Sequence, residues 1–228
     1  MKAMILAAGR GERMRPLTDT TPKPLLKVSS KHLILWAIFK LRQAGIIDLV
    51  VNVSHLAEQI ERALGDGTPF GVRITYSFER EALETAGGIA WALPLLDDQP
   101  FLVVNSDIYS DYNFENLKVR AQTLSVKQPA HLVLVDNPGH HPQGDFGLRN
   151  GVVTADGTRL TFSGFGAYHP ALFAGIARGE KCRLAAQLAN PIAEGRVSGE
   201  HFCGEWNDVG TPQRLAEIDA RVSNGGAS

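Results

Sequence analysis

Cysteine is nearly absent from the sequence, and Cys182 and Cys203 stand alone without a CxxC pair, which removes a zinc ribbon and a disulfide framework. Both are expected to be ordinary packing thiols in a reduced compartment. No stretch approaches the ~18 uninterrupted apolar residues of a membrane span. The opening MKAMILAAGRGERMR turns charged too early for a signal peptide, so a cytoplasmic location is expected. An excess of charge of one sign is also missing. With 23 basic and 24 acidic residues the net charge is -1, which leaves no electrostatic footprint for nucleic acid or an anionic membrane. Any affinity for phosphate must come from local arrangement. Repeats, low-complexity tracts and long linkers are lacking too, and 228 residues, 44% of them hydrophobic, suffice for one sizeable core. Residues 1–222 are expected to form a single domain and residues 223–228, SNGGAS, a flexible tail.

What is present is an alternation of strand and helix patterns. Ala3–Leu6, Leu49–Val53 (LVVNV), Phe101–Val104 (FLVV) and Ala130–Val135 are short apolar runs that read as buried strands. Ile34, Ala37, Ile38 and Leu41 follow helical spacing within His32–Arg42, with Gly45 just beyond as a stop. Leu56–Leu64 repeats the pattern and is closed by Gly65; Val72–Phe78 alternates as a half-buried strand, and Thr85–Leu93 reads as a further helix. Such βαβ units imply a doubly wound, mostly parallel Rossmann-like sheet with helices on both faces. From about residue 144 to 168 the texture changes, because Asn150-Gly151 and Asp156-Gly157 supply tight-turn chemistry between short runs. A small antiparallel hairpin region on or beside the main sheet is expected there. Helices follow at Pro170–Ala177, Leu184–Glu194 and Pro212–Val222, the last with Thr211 as N-cap and Pro212 in the first helical position.

The loop Ala7–Arg15, AAGRGERMR, follows the first strand, where open α/β sheets bind ligands. Gly9 and Gly11 let a ligand approach the backbone, and Arg10, Arg13 and Arg15 concentrate positive charge suited to a polyphosphate. A Walker loop is excluded because no Gly-Lys-Ser/Thr follows, and a dinucleotide fingerprint because Met14 stands where its third glycine belongs. Further on, Lys23 is set between Pro22 and Pro24, whose fixed φ angles stiffen the backbone under its ammonium. Asp107 ends the strand FLVVNS and is delivered to the same sheet edge, while Asp208 stands just before the last helix. Two carboxylates from distant positions suit magnesium, which takes one or two and completes its octahedron with phosphate and water.

The segment Leu6–Leu25, LAAGRGERMRPLTDTTPKPL, resembles the signature of the sugar-1-phosphate nucleotidylyltransferases, and LVVNSD and WNDVGTP resemble that family's two metal-binding motifs. The resemblance implies a nucleotide-diphospho-sugar transferase-like fold, with a nucleotide-binding half over about residues 1–110 and a sugar-binding half over about 111–222. It implies that Ala8, Gly9, Gly11, Glu12, Arg13, Lys23, Thr85, Gly87 and Asn105 face a nucleoside triphosphate. Asp145, Gly147 and Glu205 would face a sugar 1-phosphate, and Asp107 and Asp208 would hold Mg2+; Arg13, Lys23 and Asp107 form the catalytic group. Many relatives carry glycine where Glu84 stands, and many carry a Glu-Lys-Pro motif where this chain reads Leu160–Tyr168, LTFSGFGAY.

The short length and the stretch TFSGFGAYHPALF are similar to those members that transfer a uridylyl group to N-acetylmuramate 1-phosphate in bacterial cell-wall recycling. Mannose or heptose 1-phosphate with GTP, phosphocholine with CTP, and an inactive nucleotide-sensing subunit stand as alternatives. For the lactyl carboxylate of such a sugar, Arg149 and His169 are candidate donors. His140-His141, inside the Pro/Gly-rich NPGHHPQG, is read as a surface loop. The family's appended assembly domain is absent, which favours a monomer.

Overall fold

A computed structural model describes residues 1–225. In chain order the strands are β1 (Lys2–Leu6), β2 (Lys27–Val28), β3 (Lys31–His32), β4 (Asp48–Val53), β5 (Arg73–Phe78), β6 (Phe101–Asn105) and β7 (Ile108–Ser110). They continue as β8 (Ala130–Val135), β9 (Phe146–Arg149), β10 (Val152–Thr154), β11 (Arg159–Tyr168), β12 (Val197–Phe202) and β13 (Trp206–Asp208). The helices are α1 (Leu33–Gln43), α2 (Ala57–Leu64), α3 (Glu84–Leu96), α4 (Phe114–Ala121), α5 (Leu184–Ala193) and α6 (Pro212–Gly225).

The predicted α/β fold is present: one nine-stranded sheet in the order β5-β4-β1-β6-β11-β8-β12-β10-β9. The first four strands are mutually parallel; β4, β1 and β6 are apolar on both sides because helices cover both faces, while β5 at the sheet edge alternates and is half-exposed. Along β1, Ala3 and Ile5 enter a core shared with α1, α2 and α4, while Met4 enters the opposite core with α3 and α5. Two small ribbons, β2–β3 and β7–β13, stand outside the sheet.

The structure corrects the expected hairpin region. β9 and β10 do form a hairpin, but the third run continues to Tyr168 as β11 and lies in the middle of the sheet, antiparallel to both β6 and β8. Its register shifts between Phe162 and Gly166, and Gly164 takes a φ of 82° inside that irregularity. The glycines of SGFG, which look like turn punctuation, therefore mark a bulge in a long strand. Pro170–Ala177 is also not a helix, since only Pro170–Leu172 makes a 3-10 turn, started by His169 Nδ1 accepting from the Ala171 amide at 3.2 Å. α6 runs to Gly225, past the expected end at Val222, and residues 226–228 of the expected tail lie outside the described residues. Cys182 is half-buried, but Cys203 is exposed and so does not pack.

Candidate active site

The centre of the site is the carboxyl end of β1. Leu6 pairs with Asn52 of β4 on one side and Asn105 of β6 on the other, so two asparagines flank the start of the glycine loop in the same register. Asn52 Oδ1 accepts from the Ala7 amide at 2.8 Å, fixing the direction in which the chain leaves the sheet. Gly11 has φ 68°, and a Cβ there would lie 3.0 Å from Thr18 Cγ2 and 3.2 Å from Lys23 Cβ, so conformation and packing both demand glycine. The Thr18 hydroxyl donates to the Gly11 carbonyl at 2.9 Å and closes the loop against the following turn. At Gly9 a Cβ would meet nothing within 4 Å, since the space before it is the open cleft. Arg13 sits on the 3-10 turn Glu12–Met14, which is anchored by the fully buried Met14.

Lys23 begins a second 3-10 turn, Lys23–Leu25, behind Pro22. Its ammonium meets Asp107 Oδ2 directly, and the two side chains are only 14% and 23% exposed. Asp107 is held by its own backbone as well, because its carbonyl accepts from the Val209 amide at 2.9 Å where the β7–β13 ribbon begins. Asp208 pairs with Ile108 in that ribbon, which brings the two aspartates from distant parts of the chain to one wall. Trp206 Nε1 donates to the Ser163 carbonyl at 2.9 Å and ties the ribbon to the bulge of β11. Asp208 Oδ1 receives Arg214 Nη1 at 2.5 Å and lies 3.1 Å from His140 Nε2. Thr211 Oγ1 accepts from the Arg214 amide at 3.3 Å, the cap expected from the sequence, which sets Arg214 under the carboxylate.

Two cavities meet at this wall. The first, of about 450 Å³, is lined by Ala8, Gly9, Gly11, Glu12, Arg13, Lys23, Thr85, Asn105 and Asp107, together with Asn52, Glu79 and Glu84. The second, of about 320 Å³, is lined by Asp145, Asp208, His140, His141, Thr161, Phe162, Ser163 and Trp206, and shares Arg13, Asn105 and Asp107 with the first. Three residues expected here do not line either cavity. Gly87 lies inside α3, its amide donates to the Cys182 carbonyl at 3.1 Å, and a Cβ would stand 2.3 Å from the Glu180 carbonyl oxygen. Gly147 is glycine because the Asp156 carbonyl oxygen would be 2.0 Å from its Cβ. The Glu205 carboxylate is paired with Arg221 at 2.9 Å.

Conversely, His140 and His141 are wall residues and not a bare surface loop. The sequence reads as a surface loop because proline and glycine surround the histidines, and only the fold of β9 against β11 brings it over the ribbon. Arg149 lies exposed at the far end of β9, and His169 follows the end of β11 that pairs with the start of β6, the edge of the sheet opposite the cleft.

Sequence reasoning missed Asn52 and Glu79, and only Asn52 left a signal. Both LVVN segments, Leu49–Asn52 and Leu102–Asn105, end an apolar run on a polar residue, and that repeat was the available signal. Glu79 is buried at the cleft floor, with Oε1 accepting from Asn52 Nδ2 at 2.6 Å and Oε2 from the Leu83 amide at 2.9 Å. Burial outweighs those two bonds and pushes its carboxyl above the usual glutamate range. Glu84, where relatives carry glycine, has φ 64°, a left-handed conformation that glycine adopts freely. Among the described residues no group of three or more His, Cys, Asp or Glu side chains is disposed to hold a metal, and no helix is long and apolar enough to cross a membrane.

The cleft thus sets cations against a pair of carboxylates on the ligand-binding edge of an α/β sheet, where two cavities meet. On this fold that arrangement defines a nucleotidyltransferase. The chain belongs to the nucleotidyl transferase family, whose model matches residues 2–161. It is 54% identical over 225 residues to the N-acetylmuramate alpha-1-phosphate uridylyltransferase of Neisseria meningitidis serogroup B, covering 96% of this chain and 97% of that one. It is 31% identical over 225 residues to the mannose-1-phosphate guanyltransferase of Neurospora crassa, covering 93% of this chain but 62% of that longer protein. Among solved structures, that of HddC from Yersinia pseudotuberculosis complexed with GMP-PN superimposes with a TM-score of 0.80 at 18% identity, over 97% of this chain and 99% of that one. A Bacillus anthracis protein assigned as a glucose-1-phosphate thymidylyltransferase gives a TM-score of 0.86 at 22% identity, over 98% and 96%. The family resemblance seen in LAAGRGERMRPLTDTTPKPL is borne out, and so is the fold it implied.

Proposed function

We propose that the protein transfers a uridylyl group from uridine triphosphate to N-acetylmuramate 1-phosphate, releasing pyrophosphate, as a cytoplasmic monomer that binds neither nucleic acid nor membrane. The observation that carries this reading is the junction of the two cavities at Arg13, Asn105 and Asp107. The first cavity receives the triphosphate and the second the sugar 1-phosphate. Full-length similarity to the Neisseria enzyme supports the choice of substrates.

The sugar phosphate oxygen attacks the α-phosphorus, a new P–O bond forms, and the bond to the β-phosphate oxygen breaks as pyrophosphate leaves. A phosphate dianion is already a nucleophile, so no side-chain base is required. The task of the protein is to hold two anions in line and to offset their repulsion. Arg13 faces both cavities and neutralises charge where they meet. Lys23, stiffened by its prolines, stands over Asp107 and is placed to share its charge with the α-phosphate. The backbone at Gly9 and Gly11 admits the triphosphate closely. Asp107 and Asp208 are the donor set for magnesium, two carboxylates that line one cavity, Asp208 on β13 and Asp107 just before the β7 residue that pairs with it. When bound there, the ion supplies Lewis-acid neutralisation of the phosphate oxygens. Removing one such preorganised contact costs about 3 kcal/mol, a hundredfold or more in rate.

A pyrophosphate-release assay crossing the four nucleoside triphosphates with N-acetylmuramate, N-acetylglucosamine, mannose and heptose 1-phosphates and phosphocholine tests the reading. Uridine triphosphate with N-acetylmuramate 1-phosphate should exceed every other pair. Preference for GTP with mannose or heptose 1-phosphate, for CTP with phosphocholine, or no turnover at all would replace it.

A further inference from the structure

The second cavity holds one potential cation more than a phosphorylated neutral sugar requires. Arg13 sits at its phosphate end, and Arg214 and His140 are engaged by Asp208. His141 stands apart from these. Its Nε2 is 3.1 Å from Asp145 Oδ1, and Asp145 is itself fixed because Oδ2 accepts from the Phe162 amide at 2.8 Å. A carboxylate anchored to a strand thus orients an imidazole at the cavity rim, and the His141 amide donates to the Pro138 carbonyl at 2.8 Å, so the loop carrying it is closed on itself.

The span along β11 gives the scale. Gly164 packs against Asn105, with a would-be Cβ 2.6 Å from Asn105 Nδ2, at the junction of the cavities. Phe162, two residues back, binds Asp145. At ~3.3 Å per residue two residues cover at most roughly 7 Å, and less across the bulge, so the two ends stand no further apart than the span of one pyranose ring. A sugar with its anomeric phosphate at Arg13 and Asp107 would present the far side of its ring to His141.

We propose that His141, seated by Asp145, is the specificity-determining donor for a carboxylate carried on the sugar, and that the second cavity takes acidic sugar 1-phosphates in preference to their neutral counterparts. This rests on the proposed function, in which the acceptor bears a lactyl ether on C3. His141 Nδ1 donates to the lactyl carboxylate while Nε2 keeps Asp145. Such a bond to a charged group discriminates by roughly 10- to 100-fold.

The test compares kcat/KM for N-acetylmuramate 1-phosphate and N-acetylglucosamine 1-phosphate, the same ring without the lactyl group, both with uridine triphosphate. His141→Gln should lower the acid-to-neutral ratio roughly 10- to 100-fold, and His141→Lys should restore part of it. Titration calorimetry of both sugar phosphates onto the full chain gives the same ratio where turnover is slow. A ratio unchanged in His141→Gln, while the unaltered protein prefers the acid, overturns the inference and leaves the proposed function standing. An unaltered protein with no preference for the acid overturns both.

Discussion

Two glycines in the nucleotide half should respond to the same substitution in opposite ways. Gly9 does not have positive φ, and an added Cβ would meet no protein atom within 4 Å. Gly9→Ala therefore strains nothing in the free protein, and the loss of unfolded-chain entropy stabilises it by about 0.4–1 kcal/mol. At ~2–4 °C per kcal/mol for a chain of this size, Tm rises by roughly 1–4 °C. The space the methyl enters is where the proposed function puts the triphosphate, and overpacking there costs about 1–3 kcal/mol. That converts to a loss of roughly 5- to 150-fold in kcat/KM for the nucleotide. At Gly87 the Cβ would stand 2.3 Å from the Glu180 carbonyl oxygen, a backbone atom held by its own chain. The same 1–3 kcal/mol of overpacking then falls on the fold, and Tm drops by roughly 2–12 °C. Differential scanning calorimetry and initial rates with varied uridine triphosphate read both effects. If Gly9→Ala kept full kcat/KM, the loop would not approach the triphosphate. If Gly87→Ala kept its Tm but lost nucleotide affinity, Gly87 would be a ligand contact after all.

Asp107→Asn and Asp208→Asn should each lower kcat at least a hundredfold, with manganese binding followed by electron paramagnetic resonance weakened in both; turnover at the unaltered rate would remove them from the metal site. Glu79 holds its proton to higher pH in the folded protein than in the unfolded chain, so between the usual glutamate range and its raised value the folded state binds more protons and stability falls as pH rises. Denaturant titrations across that window should show the decline, and Glu79→Gln should flatten it; an identical slope in both would mean that burial does not govern this carboxyl. Glu84→Gly, which relieves a left-handed residue at the start of α3, should cost less stability than the ~1 kcal/mol ordinarily charged to glycine in a helix, as read by thermal unfolding.

The parallel half of the fold was legible because β1, β4 and β6 are buried on both faces, β5 alternates cleanly and the helices α1 and α2 keep an apolar stripe; β4, α1 and α2 fall within a residue or so of expectation. β11 was not, because a bulge needs a glycine just as a turn does, and only the strands on either side distinguish them. β12, VSGEHF, carries too many polar residues to announce a strand, yet its Gly199 lets Val153 and the Leu132 carbonyl close over it. In the site, residues adjacent to a strand end were readable, as with Asn105 and Asp107. Gly87, Gly147 and Glu205 fall outside both cavities, because a motif records that a residue is needed without recording whether ligand or backbone needs it. His140 and His141 were hidden for the converse reason: their loop acquires its role only from a ribbon formed by the other end of the chain.

That ribbon also bears on how the enzyme comes into being. Among the described residues β7 pairs with β13 alone, so it waits for β13 to be synthesised and to close a long loop onto it, and such distant contacts form late. Until that ribbon closes, Asp107 stands without Asp208 beside it. The second carboxylate of the wall therefore arrives with the last strand of the chain, and the site is assembled only when the molecule is.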